Sequence, residues 1–177
     1  MIGEIITDRL ILRNYQESDI ESILRLRSCP DVWVYSTNQV DYSKEGSLNY
    51  WKEVSLKYSE GKCAFQALFL KENLEFIGEA GVVSFNEEHN RAIIGYNILQ
   101  KFWNMGYSTE ITKSLLYRLF NDFQVERIEA LTMESNNASR RVLEKSGFQL
   151  EGILKNYAKV ESEYRNICYY GIIRPKL

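Results

Sequence analysis

Three apolar runs in the middle of the chain, residues 63–70, 74–85 and 91–99, are separated only by Lys71-Glu72-Asn73 and by residues 86–90. Connections this short join antiparallel strands and cannot carry a parallel crossover, so the runs read as a three-stranded meander. An amphipathic helix then starts near Gly106, with Ile111, Leu115, Leu116, Leu119 and Phe120 as an apolar stripe at helical spacing. A strand over 127–132 follows it. Such a strand–helix–strand unit is right-handed and brings its two strands roughly parallel. One sheet therefore has to hold both kinds of neighbour.

The flanks fit the same plan. Residues 5–13 read as a strand, with Leu10 and Leu12 on one face and Arg9, Ile11 and Arg13 on the other. Ser18-Asp19-Ile20-Glu21 opens a helix that carries Ile20, Ile23, Leu24 and Arg27 and stops near Cys29-Pro30. A polar, aromatic stretch (31–42) precedes a second helix over 43–58, closed by Gly61. Past the crossover, 137–146 reads as a helix with Gly147 as its stop, and 148–154 and 164–173 as strands. The order β-α-α-β-β-β-α-β-α-β-β is α/β in character, with one central mixed sheet and no repeat or boundary. All 177 residues are expected to form one domain. An exposed edge strand near 164–173 would offer a surface for pairing into a homodimer.

Composition excludes several classes. The formal net charge of −2 gives no basic footprint for nucleic acid. No apolar run approaches the ~20 residues of a membrane helix. Acidic Glu4 and Asp8 stand where a secretion signal would be basic and then apolar, so a cytoplasmic protein is expected. Cys29, Cys63 and Cys168 are far apart, and His89 is the only histidine. No metal site is expected from that set. The 12 tyrosines are a surplus, and Tyr35, Tyr42, Tyr50, Tyr58, Tyr157 and Tyr164 lie outside the periodic runs. Tyrosine brings contact area with a polar tip, which suits a binding cleft and equally a core boundary.

Two helix starts carry the candidate chemistry. Trp103-Asn104-Met105-Gly106-Tyr107-Ser108-Thr109 lies between a strand and the amphipathic helix, where successive free N–H groups can cradle a pyrophosphate. Gly106 can take a positive φ there or let a ligand approach closely, as it would in any tight turn. Asn136 and Asn137 can cap the second helix, and Ser139 falls in its first turn. Both starts follow strands linked by one crossover, and ligands of open α/β sheets gather beyond such strand ends. There is no P-loop and no dinucleotide-binding glycine fingerprint.

In order along the chain stand Thr7-Asp8-Arg9-Leu10-Ile11-Leu12-Arg13, Gly95-Tyr96, Trp103-Asn104-Met105-Gly106-Tyr107-Ser108-Thr109-Glu110, Arg127-Ile128-Glu129-Ala130, Asn136-Asn137-Ala138-Ser139, the run 142–148 and Glu151-Gly152. In these motifs and their spacing the chain resembles the GNAT superfamily of N-acetyltransferases, and its RimJ/RimL-like branch above all. The likeness spans nearly the whole chain and is weakest over 31–62, where an acceptor would be chosen. It implies a GNAT-like single domain, with a mixed, mostly antiparallel sheet flanked by helices and an acetyl-CoA cleft between splayed strands. It implies as well an acetyl group passing from acetyl-CoA, the cosubstrate, to a primary amine by direct attack. Two positions depart from the pattern. Asn104 stands where the family has its first loop glycine, and Ile93 where relatives often carry a glutamate.

By that resemblance, the cofactor-binding set is Ile98, Leu99, residues 103–109, Asn136, Ser139 and Lys145, with Lys101 and Arg140 as further candidates for the outer phosphates. Main-chain donors near Ile98 and Leu99 would polarise the acyl carbonyl. Ser139 would protonate the leaving thiolate, with Tyr157 as second choice, and Glu79 would be the base. Glu79 on its own also reads as a solvated strand residue. Two other functions stand beside this one: an acyl-CoA-binding sensor that keeps residues 98–109 but has no turnover, and an interaction domain that docks a protein on the tyrosine-rich segment 31–58.

Overall fold

In a computed structural model, which describes residues 2–37 and 40–175, the meander forms as its short connections require. Strands β3 (Phe65–Leu70), β4 (Phe76–Asn86) and β5 (Arg91–Ile98) pair antiparallel in sequence order. The turn after β3 is closed by Leu74 N donating to Leu70 O at 3.0 Å, with Leu74 at φ 58°. The next turn is fixed by Asn86, whose side chain accepts from His89 N at 2.8 Å.

Residues 5–13 differ from the single strand expected. They fold back as β1 (Ile5–Ile6) and β2 (Leu10–Arg13), with Ile5 opposite Leu12 and Ile6 opposite Ile11. Thr7 makes the corner: its N–H donates to Leu10 O, and its hydroxyl accepts from Leu10 N, both at 2.9 Å. A hydroxyl that satisfies main chain locally competes with a continuous strand, and β2 goes on to pair with β3.

Three helices follow: α1 (Ile20–Arg27), α2 (Pro30–Trp33) and α3 (Lys44–Ser59). Pro30 occupies the first position of α2, where its missing N–H costs nothing. That short helix overlaps the start of the polar, aromatic stretch (31–42), for which no helix is expected. Ser43 caps α3 by accepting from Gly46 N at 2.9 Å. The crossover comes next, as α4 (Tyr107–Asn121) leading into β6 (Arg127–Met133), and then α5 (Asn137–Lys145), β7 (Gln149–Val160) and β8 (Glu163–Ile173).

The eight strands form one sheet in the order β1-β2-β3-β4-β5-β6-β8-β7. Only β5 and β6 are parallel neighbours, as the crossover demands. The edge expected near 164–173 is internal, because β8 runs between β6 and β7. The outer border falls on β7 instead. Helices cover both faces of the sheet. Neighbouring Tyr96 and Asn97 of β5 point to opposite sides; Tyr96 meets Ser139 of α5, while Asn97 meets Glu79, which Tyr50 of α3 also touches. The core joins Leu10, Leu12, Ile23, Leu68, Ile77, Ile111, Leu115, Ile128 and Leu143, each at most 1% exposed.

Candidate active site

The sheet opens between β5 and β6. These strands are paired only as far as Ile93 and Glu129. Beyond that rung β5 stays with β4 through Ile98, and β6 stays with β8 through Met133. Each strand thus carries its own half of the sheet away. The slot between them belongs to a cavity of about 810 Å³, large enough for a cofactor-sized ligand.

One end of the slot is the start of α4. Gly106 sits at φ 84° and Asn104 at φ 62°, left-handed positions that glycine takes freely and asparagine tolerates. The departure at Asn104 therefore keeps the turn. The first helical bond runs from Glu110 N to Gly106 O. The N–H groups of Tyr107, Ser108 and Thr109 are left without a main-chain partner among the described residues, and together they favour an anion. Arg9 clamps this turn from outside. It donates to Met105 O at 3.0 Å and to Glu110 Oε2 at 2.6 Å, and its guanidinium lies 4.6 Å from the Tyr107 ring centroid. Burial works to raise the Glu110 carboxyl, but the bonds from Thr7 and Arg9 outweigh it and hold the group below its ordinary value.

The second wall is α5. Asn136 caps it by accepting from Ser139 N at 3.1 Å, and Ser139 Oγ lies 2.9 Å from Tyr96 Oη on β5. Burial pushes the Tyr96 phenol up to about 12, so it keeps its proton at neutral pH. Tyr157 stands at the rim, 62% exposed, where the β7–β8 register breaks between Leu154 and Ala158 and Asn156 takes φ 51°.

Glu79 is not the solvated strand residue that its charge suggested: it is 3% exposed. Asn97 Nδ2 donates to its Oε1 at 2.8 Å, and the hydroxyls of Tyr50 and Tyr15 donate to Oε2 at 2.8 and 2.9 Å. Burial raises the carboxyl, and these three bonds offset only part of the shift. Burial and the charge of Glu79 push the Tyr15 and Tyr50 phenols well up as well, so both remain neutral donors. The preceding Gly78 permits this packing, since a Cβ there would lie 2.1 Å from Asn97 O.

All the expected site residues line this cavity except Leu99 and Met105. The N–H of Leu99 is taken by Ile77 O at 2.9 Å and its side chain is buried, so it has no donor to offer a carbonyl. Met105 gives its carbonyl to Arg9 and turns its side chain outward. Of the outer cations, Lys101 pairs with Glu75, and Arg140 donates to Tyr170 Oη and Glu134 O. Arg141 lines the cavity in their place, one turn before Lys145. Ile93 lines it too, and its neighbour Glu129 is no substitute carboxylate. That group is engaged by Arg127 at 2.7 Å and Arg91 at 3.3 Å.

Sequence reasoning passed over Tyr96, Tyr50, Asn97, Arg9 and Arg141 as site residues. Tyr96 and Arg9 lie within quoted motifs and Tyr50 within the tyrosine surplus; Asn97 and Arg141 carry no local signal. Among the described residues no group of His, Cys, Asp and Glu is placed to hold a metal ion, and no helix is long and apolar enough to cross a membrane.

A family model described as an acetyltransferase (GNAT) domain matches residues 9–149. The chain is similar to the uncharacterized N-acetyltransferase YoaA of Bacillus subtilis (strain 168), with 30% identity over 170 residues that cover 96% of each chain. Its structure is similar to that of a GNAT-family acetyltransferase from Bacillus anthracis (TM-score 0.86, 26% identity, 97% of this chain and 98% of that one). It also shares its fold with the spermidine N-acetyltransferase of Vibrio cholerae, solved with CoA and spermine (TM-score 0.83, 16% identity, 95% and 97% covered).

Proposed function

Since the chain belongs to the acetyltransferase (GNAT) family, we propose that it transfers the acetyl group of acetyl-CoA to a primary amine by direct attack in one ternary complex. One observation carries this reading. Glu79 and Ser139 reach the same cavity from opposite faces of the sheet, each held by one of two adjacent residues of β5.

Acetyl-CoA brings an activated thioester to the slot. The free N–H groups of Tyr107, Ser108 and Thr109 receive its diphosphate, with Arg141 and Lys145 toward the outer phosphate. Beyond the Ile93 rung, β5 has no strand beside it on the β6 side, which leaves main-chain groups for an extended pantetheine arm. The remaining task is proton traffic. One proton leaves the attacking amine and one reaches the departing sulfur.

Removing the first proton costs about 1 kcal/mol at neutral pH for an α-amino group and about 4.6 kcal/mol for a lysine-like amine. Glu79 takes it, directly or through water, and a carboxyl raised by burial suits a base near neutral pH. Ser139 supplies the second proton, and Tyr96 orients its hydroxyl. The thiolate, with a parent pKa of about 8.5, needs only modest help. A buried carboxylate placed in this way serves turnover and would only burden a pure acyl-CoA sensor.

Incubation with acetyl-CoA and a panel of primary amines, read by released thiol and product mass, tests the proposal. Acetylated amine is the expected result. CoA binding without transfer to any amine would favour the sensor, and no CoA binding at all would favour the interaction domain.

A further inference from the structure

The cavity continues past Glu79 to an acceptor end lined by Arg27, Asp31, Trp33, Tyr35 and Tyr50. Arg27 is the one cation there among the described residues, and it is held from two sides. Its Nε donates to Asp41 O at 3.0 Å, and its guanidinium lies 4.8 Å from the Tyr50 ring centroid. Its terminal nitrogens have no partner among the described residues. The nearby Asp41 carboxylate is turned to Ser43 N at 2.8 Å. Asp31, on the same lining, is exposed and makes no ion pair with Arg27.

An arginine anchored through Nε and one ring face presents its two outer nitrogens as a ready fork, the geometry that matches a carboxylate. Tyr50 joins this fork to the base: its ring carries Arg27, and its hydroxyl bonds Glu79 at 2.8 Å. The acceptor end thus offers a positive group and a negative group on either side of one tyrosine. That pattern fits a molecule carrying both charges and disfavours a polycation.

We infer that the acceptor amine carries a carboxylate, which Arg27 binds while Glu79 receives the amine. This rests on the acetyltransferase reading above. The carboxylate comes either from an amino acid or peptide C-terminus, or from an acidic side chain close to a peptide N-terminus.

The test sets acid against amide within matched pairs. One arm is the common amino acids, each beside its primary amide; the other is tetrapeptide amides with Glu or Gln at the second position. Both are assayed with acetyl-CoA, and binding of the same probes to the CoA-saturated protein is followed by calorimetry. One arm should show kcat/KM about ten- to a hundred-fold higher for the acid than for its amide, as a charge-assisted bond predicts. The arm that shows it identifies the source. R27Q should bring that ratio to about one and R27K should restore part of it. Comparable rates for acid and amide in both arms, with transfer intact, would overturn the carboxylate site and leave the transferase reading standing. No transfer to any amine, combined with selective binding of the acids, would do the reverse. Neither transfer nor selective binding would remove both.

Discussion

The Ser139 and Tyr96 hydroxyls, 2.9 Å apart, join α5 to β5 across the open part of the sheet. The contact fixes the position of the serine oxygen, and burial, which raises the Tyr96 phenol to about 12, keeps Tyr96 in its neutral form throughout the working range.

Removing the serine hydroxyl should therefore hurt the chemical step more than binding. Ser139→Ala is expected to lower kcat by about 10²-fold, the scale of a positioned acid, with a smaller change in the KM for acetyl-CoA. Tyr96→Phe should fall between wild type and that variant. Steady-state kinetics with varied acetyl-CoA separates the two effects, and unchanged turnover in Ser139→Ala would reassign the donor.

Glu79 predicts opposite signs for rate and stability. Its folded-state value is raised by burial, so its contribution to stability is full below the unfolded value, about 4.3, and declines as pH rises through the folded value. Glu79→Gln should thus be at least as stable as wild type near pH 8 while losing kcat/KM and the acidic limb of the pH–rate profile. Urea melts beside that profile check both. A variant that keeps the limb would show that another group is the base.

The Arg9–Glu110 clamp should show as weaker cofactor binding. Arg9→Ala frees Met105 O and the Tyr107 ring and is expected to raise the acetyl-CoA KM by about ten-fold, comparable to losing one charge-assisted bond. Glu110 is held below its ordinary value. Its stabilisation is present above the unfolded value of about 4.3 and is lost as pH falls through the lower folded value. Melting between pH 6 and 3 should show Arg9→Ala losing less with acid than wild type does.

Truncating the ligand tests the α4 cradle. Acetylated pantetheine, which lacks the diphosphate, should bind at least about 10²-fold more weakly than acetyl-CoA, as the loss of several charge-assisted bonds requires. Arg141→Ala should lower acetyl-CoA affinity and leave pantetheine affinity unchanged. Equal affinity for the two ligands would remove the cradle.

Much of this architecture was legible because it follows from local constraints. The connections at 71–73 and 86–90 are too short for anything but hairpins, and the stripe from Ile111 to Phe120 fixes a helix between parallel strands. What lay hidden depends on distant partners. Alternation cannot show that Thr7 breaks a strand, because that rests on the paired bonds between Thr7 and Leu10. It cannot say which of β7 and β8 lies outermost, since either order satisfies the same pattern. Arg140 and Arg141 are adjacent in sequence but about 100° apart around the helix, which is enough to send one to Tyr170 and the other to the cleft. A glutamate on a strand reads as solvated unless Tyr15, Tyr50 and Asn97, drawn from three separate segments, are known to converge on it.

The irregular stretch in β7 reaches further than the placement of Tyr157. Asn156 turns its N–H inward to Asn166 Oδ1 at 2.9 Å, and the left-handed kink there breaks the row of groups that a bordering strand exposes. Another chain arriving at this margin would find no unbroken template to copy. At this border the sheet therefore offers an incoming strand a broken edge, a feature that works against edge-to-edge pairing.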